Sequence, residues 1–454
     1  MVRSMSFEFD ASGRSYYVPS AFYISAAPGV LDGAGGPLPG GWHRLMHEYA
    51  HLIQDRTSVF GAIDFMHFVD SIQSVLKLLQ VQDDAATPSW ARCGPAQYVV
   101  KKLKPPTVQL PVSATEGAAD SWIASIHKLR AATYPRKPWK NGVMWAFEDH
   151  RIEQIPVWYE GAERHIPVAV ARFVDNVNGD TYEHEIGPWE IKEAYSVAIE
   201  VLHGGPAVTN ANEFEYLAIE RILGKAGPVD ERQVVAICHW ALQDSVPGVR
   251  FFEIVAFLEK NGALPPANDL YDVLRQQAIT AGVGAKVDLV GKQLDEIVRV
   301  QSASGPKDLL FQVFRWYHDQ VVAALARNLD SRRRFPLDTY VCGPGPHPDV
   351  AKFTGAVAEE PIPVVETSSG AIAFGGKTVD SDTVLFLRSL SDLVSRLWSS
   401  PTASWPCILE STCTLKYRDE SCKTRPFEKG ANRPACPYGA ASAYMGFTHL
   451  RVLP

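Results

Sequence analysis

The chain has 454 residues, of which 46% are hydrophobic and 21% are charged, as in a globular protein with enough material for a sizeable core. Its formal net charge of −7 is small for this length, and the sequence has no basic tract, so we expect neither nucleic acid nor anionic membranes as partners. The N-terminal sequence MVRSMSFEFD lacks an apolar signal segment, and no apolar run reaches about 18 residues, which predicts a cytoplasmic protein without a membrane span.

The N-terminal region leads into one amphipathic helix. Residues 6–24 alternate and end in aromatic and β-branched residues, which predicts a short strand pair before the glycine-rich residues 33–41. Apolar residues then recur at helical spacing through WHRLMHEYAHLIQDRTSVF, residues 42–60. One stripe of this helix is therefore expected to pack into a core.

The same helix carries HExxH, the pattern of zinc-dependent hydrolases, at His47, Glu48 and His51. Histidines four residues apart lie one above the other on a helix, so both imidazoles can reach one tetrahedral cation. Glu48 is turned aside toward a water on that cation and is predicted to be the general base. His43 extends the row, but its Cα lies about 12 Å along the axis from that of His51, so we do not expect it to be a ligand. The alternative is a surface helix with two solvated histidines.

The next segments are predicted to alternate between helix and loop. Residues 64–82 have helical periodicity and are expected to pack against the first helix. Residues 101–112 contain three prolines and are expected to form a loop or an extended connector. Residues 118–132 are predicted to be helical again.

A small antiparallel sheet is predicted from Ile152 onward. The sequence there is rich in β-forming residues up to Asn176, and Asn178-Gly179 is a common hairpin turn pair. Gly187-Pro188 then opens a helix, because proline is well tolerated in the first helical turn. This helix, WEIKEAYSVAIEVL, is the expected source of a third ligand.

A catalytic zinc site usually has three protein ligands, so HExxH needs a partner. In thermolysin-like HExxH enzymes this partner is a glutamate on a separate downstream helix. The predicted helix offers Glu190, Glu193 and Glu200. Glu193 has apolar residues four positions before and after it, where an unpaired carboxylate would be costly and a cation would compensate. Glu190 and Glu200, nearer the ends, are expected to reach solvent more readily.

Other assignments of this helix remain open from the sequence. Glu193 can instead be a solvated or salt-bridged helix residue. If Glu193 lies away from the two histidines, His184 and His203 flank the same helix and can complete a three-histidine site.

Two short motifs resemble a known group of proteins. The run HEYAHLIQDRTSVFG, residues 47–61, resembles a group of largely uncharacterised bacterial HExxH proteins. Ile186-Gly187 and the sequence Glu193-Ala-Tyr-Ser196 resemble their second block, E-x-x-A, with Ser196 in place of the alanine. The resemblance implies a gluzincin-like zinc metallopeptidase with His47, His51 and Glu193 as ligands and Glu48 as base, and it implies no substrate.

The remaining chain is predicted to be predominantly helical, with a mixed C-terminal region. Arg332 to Arg334 are expected at a solvated helix end, and residues 342–348 are expected to form a linker. A strand pair is predicted within residues 362–376, followed by a helix over 381–398. The helices predicted before the linker span residues 212–223, 231–244, 251–260, 268–280 and 307–328.

The C-terminal tail contains four of the seven cysteines, at Cys407, Cys413, Cys422 and Cys436. Structural zinc sites usually include at least one C-x₂₋₄-C pair, and the tail has none. A structural metal or cluster, disulfides, and ordinary reduced cysteines all remain open, although an odd total fits a reducing compartment.

Together these observations predict an α+β, predominantly helical protein. Its regions are a zincin-like metal-binding catalytic region (1–205), a helical region (206–340) and a mixed, cysteine-rich α/β region (341–454). The predicted function is a zinc-dependent metallopeptidase or amide hydrolase that acts on a peptide or protein substrate. Two alternatives are a non-haem Fe(II) oxygenase that modifies peptides with the same two histidines and glutamate, and a catalytically silent binding protein. The sequence leaves the oligomeric state open.

Overall fold

A computed structural model of the chain describes much of the sequence, with gaps. The described residues are 15–18, 22–31, 38, 41–66, 68–69, 91–93, 98–102, 145–159, 162–206, 214–262, 264–302, 309–340, 364–367, 370–372, 381–398, 406–410, 413, 418–424, 426, 436–444 and 450–453. They are mostly helical and include small sheets, which confirms the predicted α+β, predominantly helical class.

The strands and helices are numbered in chain order. The strands are β1 (Tyr16–Val18), β2 (Tyr23–Ser25), β3 (Ala91–Cys93), β4 (Tyr98–Lys102), β5 (Trp145–Tyr159), β6 (Ala162–Asp175), β7 (Thr181–Ile186), β8 (Val364–Thr367), β9 (Gly370–Ile372) and β10 (Leu450–Leu453). The helices are α1 (Trp42–Thr57), α2 (Pro188–Leu202), α3 (Phe214–Leu223), α4 (Glu231–Ala241), α5 (Pro247–Asn261), α6 (Ala267–Thr280), α7 (Val283–Ser302), α8 (Leu309–Leu329), α9 (Leu337–Tyr340), α10 (Ser381–Trp398), α11 (Ser421–Thr424) and α12 (Pro437–Tyr444). Residues 59–66 are also helical.

The sheet β5-β6-β7 is antiparallel, as predicted, and begins earlier than Ile152, at Trp145. Asp175 stabilises the turn between β6 and β7, because its carboxylate accepts hydrogen bonds from the Val177 backbone N–H (2.8 Å) and the Asn178 amide (2.8 Å). Gly179 takes the positive φ of 73° that the turn requires. Strand β7 then runs through Gly187 directly into α2.

Helix α2 lies at the centre of the packing around the predicted site. It contacts α1, α3, α4 and α5, and most of its length is buried. A helix that is largely apolar around its circumference is stable only when other elements cover it on several sides. The face of α2 that meets α1 carries Lys192, Glu193, Ser196 and Glu200.

The four-stranded sheet joins distant parts of the sequence, in the order β1-β2-β8-β9. Strands β1 and β2 pair antiparallel, and β8 pairs parallel to β2, with Tyr23 opposite Val364. The predicted strand pairs at both ends of the chain therefore share one sheet. The pairing of β2 with β8 joins the predicted region 1–205 to the predicted region 341–454. The boundaries of these regions stay a prediction. A third sheet has the order β10-β4-β3.

Several sequence assignments differ from the structure. Helix α7 has no predicted counterpart, because Gly284 and Gly291 interrupt its apolar periodicity, although both glycines have open space around them. Lys101 and Lys102, which were expected in a loop or connector, belong to β4. Arg334 is not simply solvated, since it pairs with Asp272 of α6 at 2.9 Å.

Some predictions lie outside the described residues. They are the continuation of helix 64–82 beyond residue 69, helix 118–132, most of the connector 101–112 and the linker 342–348. Within the described parts of the chain, no helix has both the length and the apolar character that crossing a membrane requires. The cytoplasmic location stays a prediction.

Gly248 tests the close packing that fixes the start of α2. A Cβ at Gly248, in the first turn of α5, would lie 2.0 Å from the backbone oxygen of Ile186, which ends β7. Gly248→Ala is therefore expected to lower the free energy of unfolding by about 1–3 kcal/mol, as overpacking does. Urea unfolding followed by circular dichroism measures the change. Gly291→Ala, in open space, is the control, and an equal loss in both variants would contradict the packing argument.

Candidate metal centre

The two histidines of HExxH lie on the face of α1 that meets α2. The apolar stripe of α1, which includes Leu45, Tyr49 and Leu52, is fully buried and fixes the rotation of the helix in the core. With that rotation, the His47 and His51 rings lie next to each other, with centroids 5.0 Å apart and an interplanar angle of 78°. Two successive turns of α1 therefore present both imidazoles to α2. The alternative of two solvated histidines on a surface helix is wrong.

Glu193 of α2 lies between the two imidazoles. Its Oε2 is 3.3 Å from His47 Nε2, and its Oε1 is 3.4 Å from His51 Nε2. One ligand atom from each of the three residues lies within 4.8 Å of the others. Two ligands that are each about 2.1 Å from a tetrahedral zinc ion lie about 3.4 Å from each other. The spacing between the carboxylate and the imidazoles is therefore suitable for a metal ion.

The chemistry of the donors also fits a cation. Glu193 is 3% exposed, and its Oε2 is a buried oxygen without an aligned hydrogen-bond donor. Burial by itself would raise the pKa of Glu193, but the two imidazoles hold it at about 2, so the group is a carboxylate. An ionised, buried oxygen that lacks a donor is costly unless a positive charge compensates it. His47, His51 and Glu193 can thus hold a metal ion.

The side chain of Gln54 orients the His51 ring. Gln54 Nε2 donates to the backbone oxygen of Lys192 (3.0 Å) and to Ser196 Oγ (3.2 Å). Because a carbonyl oxygen only accepts, this contact places Oε1 on the other side of the amide, 3.1 Å from His51 Nδ1. His51 Nδ1 must then carry the proton and donate it, with Ser196 Oγ nearby at 3.2 Å. Nε2, on the Glu193 side of the ring, is then the nitrogen available to ligate a metal ion.

His47 has a charged partner on its outer side. Its Nδ1 lies 3.1 Å from Glu200 Oε2, while its Nε2 faces Glu193. Burial lowers the pKa of His47, but the carboxylates of Glu193 and Glu200 beside its two ring nitrogens outweigh this effect and raise the pKa well above its usual value. Burial raises the pKa of Glu200, and the hydrogen bond to His47 more than reverses this.

Glu190 was expected to reach solvent, and that prediction is wrong. The residue is 1% exposed. Its Oε2 accepts from the backbone N–H of Gly187 at 2.9 Å, so it caps the first turn of α2, and its Oε1 lies 3.0 Å from His184 Nε2. Glu200 reaches solvent more readily than Glu193, as predicted: 19% of its side chain is exposed, compared with 4% for Glu193, although it also contacts two histidines of α1.

The alternative histidine ligands are engaged elsewhere. His184 pairs with Glu190, and His203 Nδ1 accepts a hydrogen bond from Trp42 Nε1 at 3.1 Å. The structure therefore brings Glu193, and neither of these histidines, into contact with His47 and His51.

Glu48 lies beside the three candidate ligands without being one of them. It is 8% exposed. Burial raises the pKa of Glu48, while the charges of His47 and His51 lower it in part. The carboxylate is thus close enough to sense both histidines and remains outside the group that can hold the ion.

A buried ion pair locks α1 to α2 one turn beyond the ligands. Lys192 Nζ donates to Asp55 Oδ1, and both side chains are almost completely buried. The Lys192 ammonium also lies over the Phe60 ring, 5.3 Å from its centroid. Tyr17 of β1 stacks beside His51, with ring centroids 6.2 Å apart, and interacts with Asp55.

Sequence reasoning missed the residues that support the ligands. They are Tyr17, Lys192, Ser196, Glu200 and Gln54. Of these, Ser196 and Gln54 were noted only within the resemblance, and Glu200 only as a possible ligand. One signal was available for three of them: Lys192, Ser196 and Glu200 are polar and follow each other at four-residue spacing along the helix. That spacing places them on the same side of the helix as Glu193.

The cysteine tail is partly described. Cys407, Cys413, Cys422 and Cys436 are free thiols, and the Cys407 backbone N–H donates to the Cys422 backbone oxygen. Burial raises the pKa of Cys407 to about 12, so its thiol stays protonated. Among the described residues, His47, His51 and Glu193 form the one cluster with metal-ligand spacing. A role for the four cysteines in binding a structural metal stays a prediction.

Comparisons with other proteins give no relative. No protein family model, curated protein or solved structure matches the chain. The resemblance to gluzincin-like HExxH proteins therefore stays a prediction, and the site has to be interpreted from its own geometry.

Glu193 and Glu190 provide a direct test of the third ligand. Glu193→Ala is expected to weaken Zn²⁺ binding by at least about 100-fold, because it removes a ligand and leaves two imidazoles. Glu190→Ala is the matched control, since Glu190 is equally buried on the same helix and contacts His184 instead. Competition with a chromophoric chelator measures both dissociation constants. Equal Zn²⁺ affinity in the Glu193 variant and the wild-type chain would remove Glu193 from the site.

Proposed function

We propose that this chain is a metal-dependent hydrolase of amide bonds, a metallopeptidase whose substrate is a peptide or protein. The observation that carries the proposal is the position of Glu193, whose two carboxylate oxygens lie 3.3 and 3.4 Å from the Nε2 atoms of His47 and His51. Two histidines and one carboxylate, with a further glutamate beside them, are the donor set of zinc hydrolases. We propose zinc as the resident ion.

The position of each residue supports a proposed role. A zinc ion in such a site lowers the pKa of a coordinated water toward neutrality and polarises the substrate carbonyl. His47, His51 and Glu193 hold the ion, and their burial between α1 and α2 keeps these donors in a fixed geometry. Glu48 accepts a proton from the attacking water and then delivers it to the leaving nitrogen. Since Glu48 is outside the group that can hold the ion, its carboxylate is available for that transfer.

The same donor set is also compatible with a different reaction. Two histidines and one carboxylate form the facial triad of non-haem Fe(II) oxygenases. A silent binding protein is the remaining alternative, but it has no use for a carboxylate in the position of Glu48. Metal content and the requirement for oxygen distinguish these functions.

The first experiment measures metal content and oxygen dependence together. Purified protein is analysed by inductively coupled plasma mass spectrometry and assayed on a mixed peptide library under air and under nitrogen. We expect one zinc ion per chain and peptide cleavage that proceeds equally under both atmospheres. Iron together with turnover that stops under nitrogen would replace the hydrolase with the oxygenase, and binding without turnover would support the silent protein.

Glu48→Gln tests the proposed general base. The amide is nearly isosteric but cannot accept the proton, so turnover is expected to fall by about 10²–10⁴-fold or more. Zinc content is expected to stay near that of the wild-type chain, because Glu48 does not hold the ion. Loss of zinc in this variant would make Glu48 a ligand, and full activity would remove it from catalysis.

A further inference from the structure

Glu200 contacts two histidines of α1 at once. Its Oε2 lies 3.1 Å from His47 Nδ1, and its Oε1 lies 2.8 Å from His43 Nδ1. Each oxygen of the carboxylate therefore has one imidazole partner, so the carboxylate plane is defined by two contacts from successive turns of α1. His43, which is too far along the helix to share the ion with His51, reaches the site through Glu200 instead.

The contact with Glu200 determines which nitrogen of His47 can bind a metal ion. A neutral imidazole has one N–H donor and one lone pair, and a carboxylate accepts the proton of the nitrogen that faces it. Glu200 on Nδ1 therefore favours the tautomer with the proton on Nδ1. With a metal ion bound, Nε2, which lies on the Glu193 side of the ring and 3.3 Å from Glu193 Oε2, would then be the ligating atom.

The turn after α2 closely encloses Glu200. The backbone N–H of Gly205 donates to the Glu200 backbone oxygen at 2.9 Å, so the chain folds back along the last turn of the helix. A Cβ at Gly205 would lie 2.5 Å from Glu200 Cγ and 3.1 Å from His43 Nδ1. Only a glycine leaves room for the carboxylate and the imidazole in this arrangement.

We propose that Glu200 is a positioning residue that orients His47 for metal binding, with His43 holding the carboxylate in place and Gly205 providing the space for it. This inference rests on the proposed metal site. It assigns a role to three residues that are not among the proposed metal ligands. Glu200 acts through His47 and makes no contact with the ion. Residues that hydrogen-bond to a metal-ligating histidine typically contribute about 10–100-fold to metal affinity.

The test measures Zn²⁺ dissociation constants and thermal midpoints of the full chain by chelator competition and by circular dichroism. Glu200→Gln keeps the size and one acceptor oxygen but loses the charge, and we expect Zn²⁺ binding to weaken by about 10–100-fold. Glu190→Gln is the matched control, because Glu190 is also a buried partner of a histidine, His184, on the same helix. We expect the Zn²⁺ affinity of this control variant to stay within about twofold of wild type, because His184 is not a proposed ligand.

Gly205→Ala moves the carboxylate without removing it. We expect this variant to weaken Zn²⁺ binding in the same direction as Glu200→Gln, because the new methyl group must displace Glu200 or His43. Gly291→Ala, whose methyl group would enter open space, is its control. His43→Leu is expected to cause a smaller loss than Glu200→Gln, because Glu200 keeps its contact with His47.

Cobalt substitution separates positioning from ligation. With Co²⁺ bound, Glu200→Gln is expected to keep the visible absorption bands of the wild-type chain, because the ligand set is unchanged. Glu193→Ala is expected to change those bands. Altered bands in Glu200→Gln would make Glu200 a ligand and overturn its assignment as a positioning residue.

The remaining outcomes each decide one proposal. Wild-type Zn²⁺ affinity in Glu200→Gln, alongside weak binding in Glu193→Ala, would overturn the inference and leave the metal site standing. A loss of affinity that matches the loss in Glu190→Gln and follows the thermal midpoint would show a merely structural role and overturn it as well. A wild-type chain that binds no Zn²⁺, Co²⁺ or Fe²⁺ would overturn the proposed function itself.

Discussion

The candidate metal centre depends on a buried polar contact between α1 and α2. Asp55 and Lys192 form an ion pair in the interior, beside three donor residues that are themselves largely buried. Removing one partner of a buried ion pair typically costs about 3–5 kcal/mol, because the other charge stays buried without compensation. A shift of α1 against α2 would separate these two buried charges, so the pair favours the register in which Glu193 lies opposite His47 and His51.

The contacts of Gln54, Asp55 and Gly61 explain why these residues follow the second histidine. Gln54 donates to the Lys192 carbonyl and accepts from the His51 ring, so it orients that ring relative to α2. Asp55 pairs with the Lys192 side chain. A Cβ at Gly61 would lie 2.3 Å from the backbone oxygen of Asp55, so the chain can turn back at this point only with a glycine. Gln54, Asp55 and Phe60 thus contact α2 where the two helices cross, whereas Arg56 donates to Gln320 of α8. This explains why polar residues follow HExxH in a segment that is almost completely buried.

The sequence was sufficient for residues whose role follows from local spacing. His47 and His51 are four residues apart on an amphipathic helix, and the apolar neighbours of Glu193 distinguished it from the other glutamates on α2. Glu190 was misjudged because helix ends are usually solvated, whereas here a capping contact with the Gly187 backbone keeps its carboxylate buried. Helix α7 was missed because periodicity arguments discount segments with internal glycines. The pairing of β2 with β8 depends on residues more than 300 positions apart, which no local pattern encodes.

The two histidines are held from outside by partners of different charge. His51 faces a neutral amide, Gln54, whereas His47 faces a carboxylate, Glu200. With a divalent cation, two neutral imidazoles and the Glu193 carboxylate leave the donor group with one net positive charge, which Glu200 then offsets through His47. Both balancing carboxylates come from α2, seven residues apart on the same side of the helix. Glu48, the carboxylate contributed by α1, is not needed for that balance, which is consistent with its proposed role as the general base.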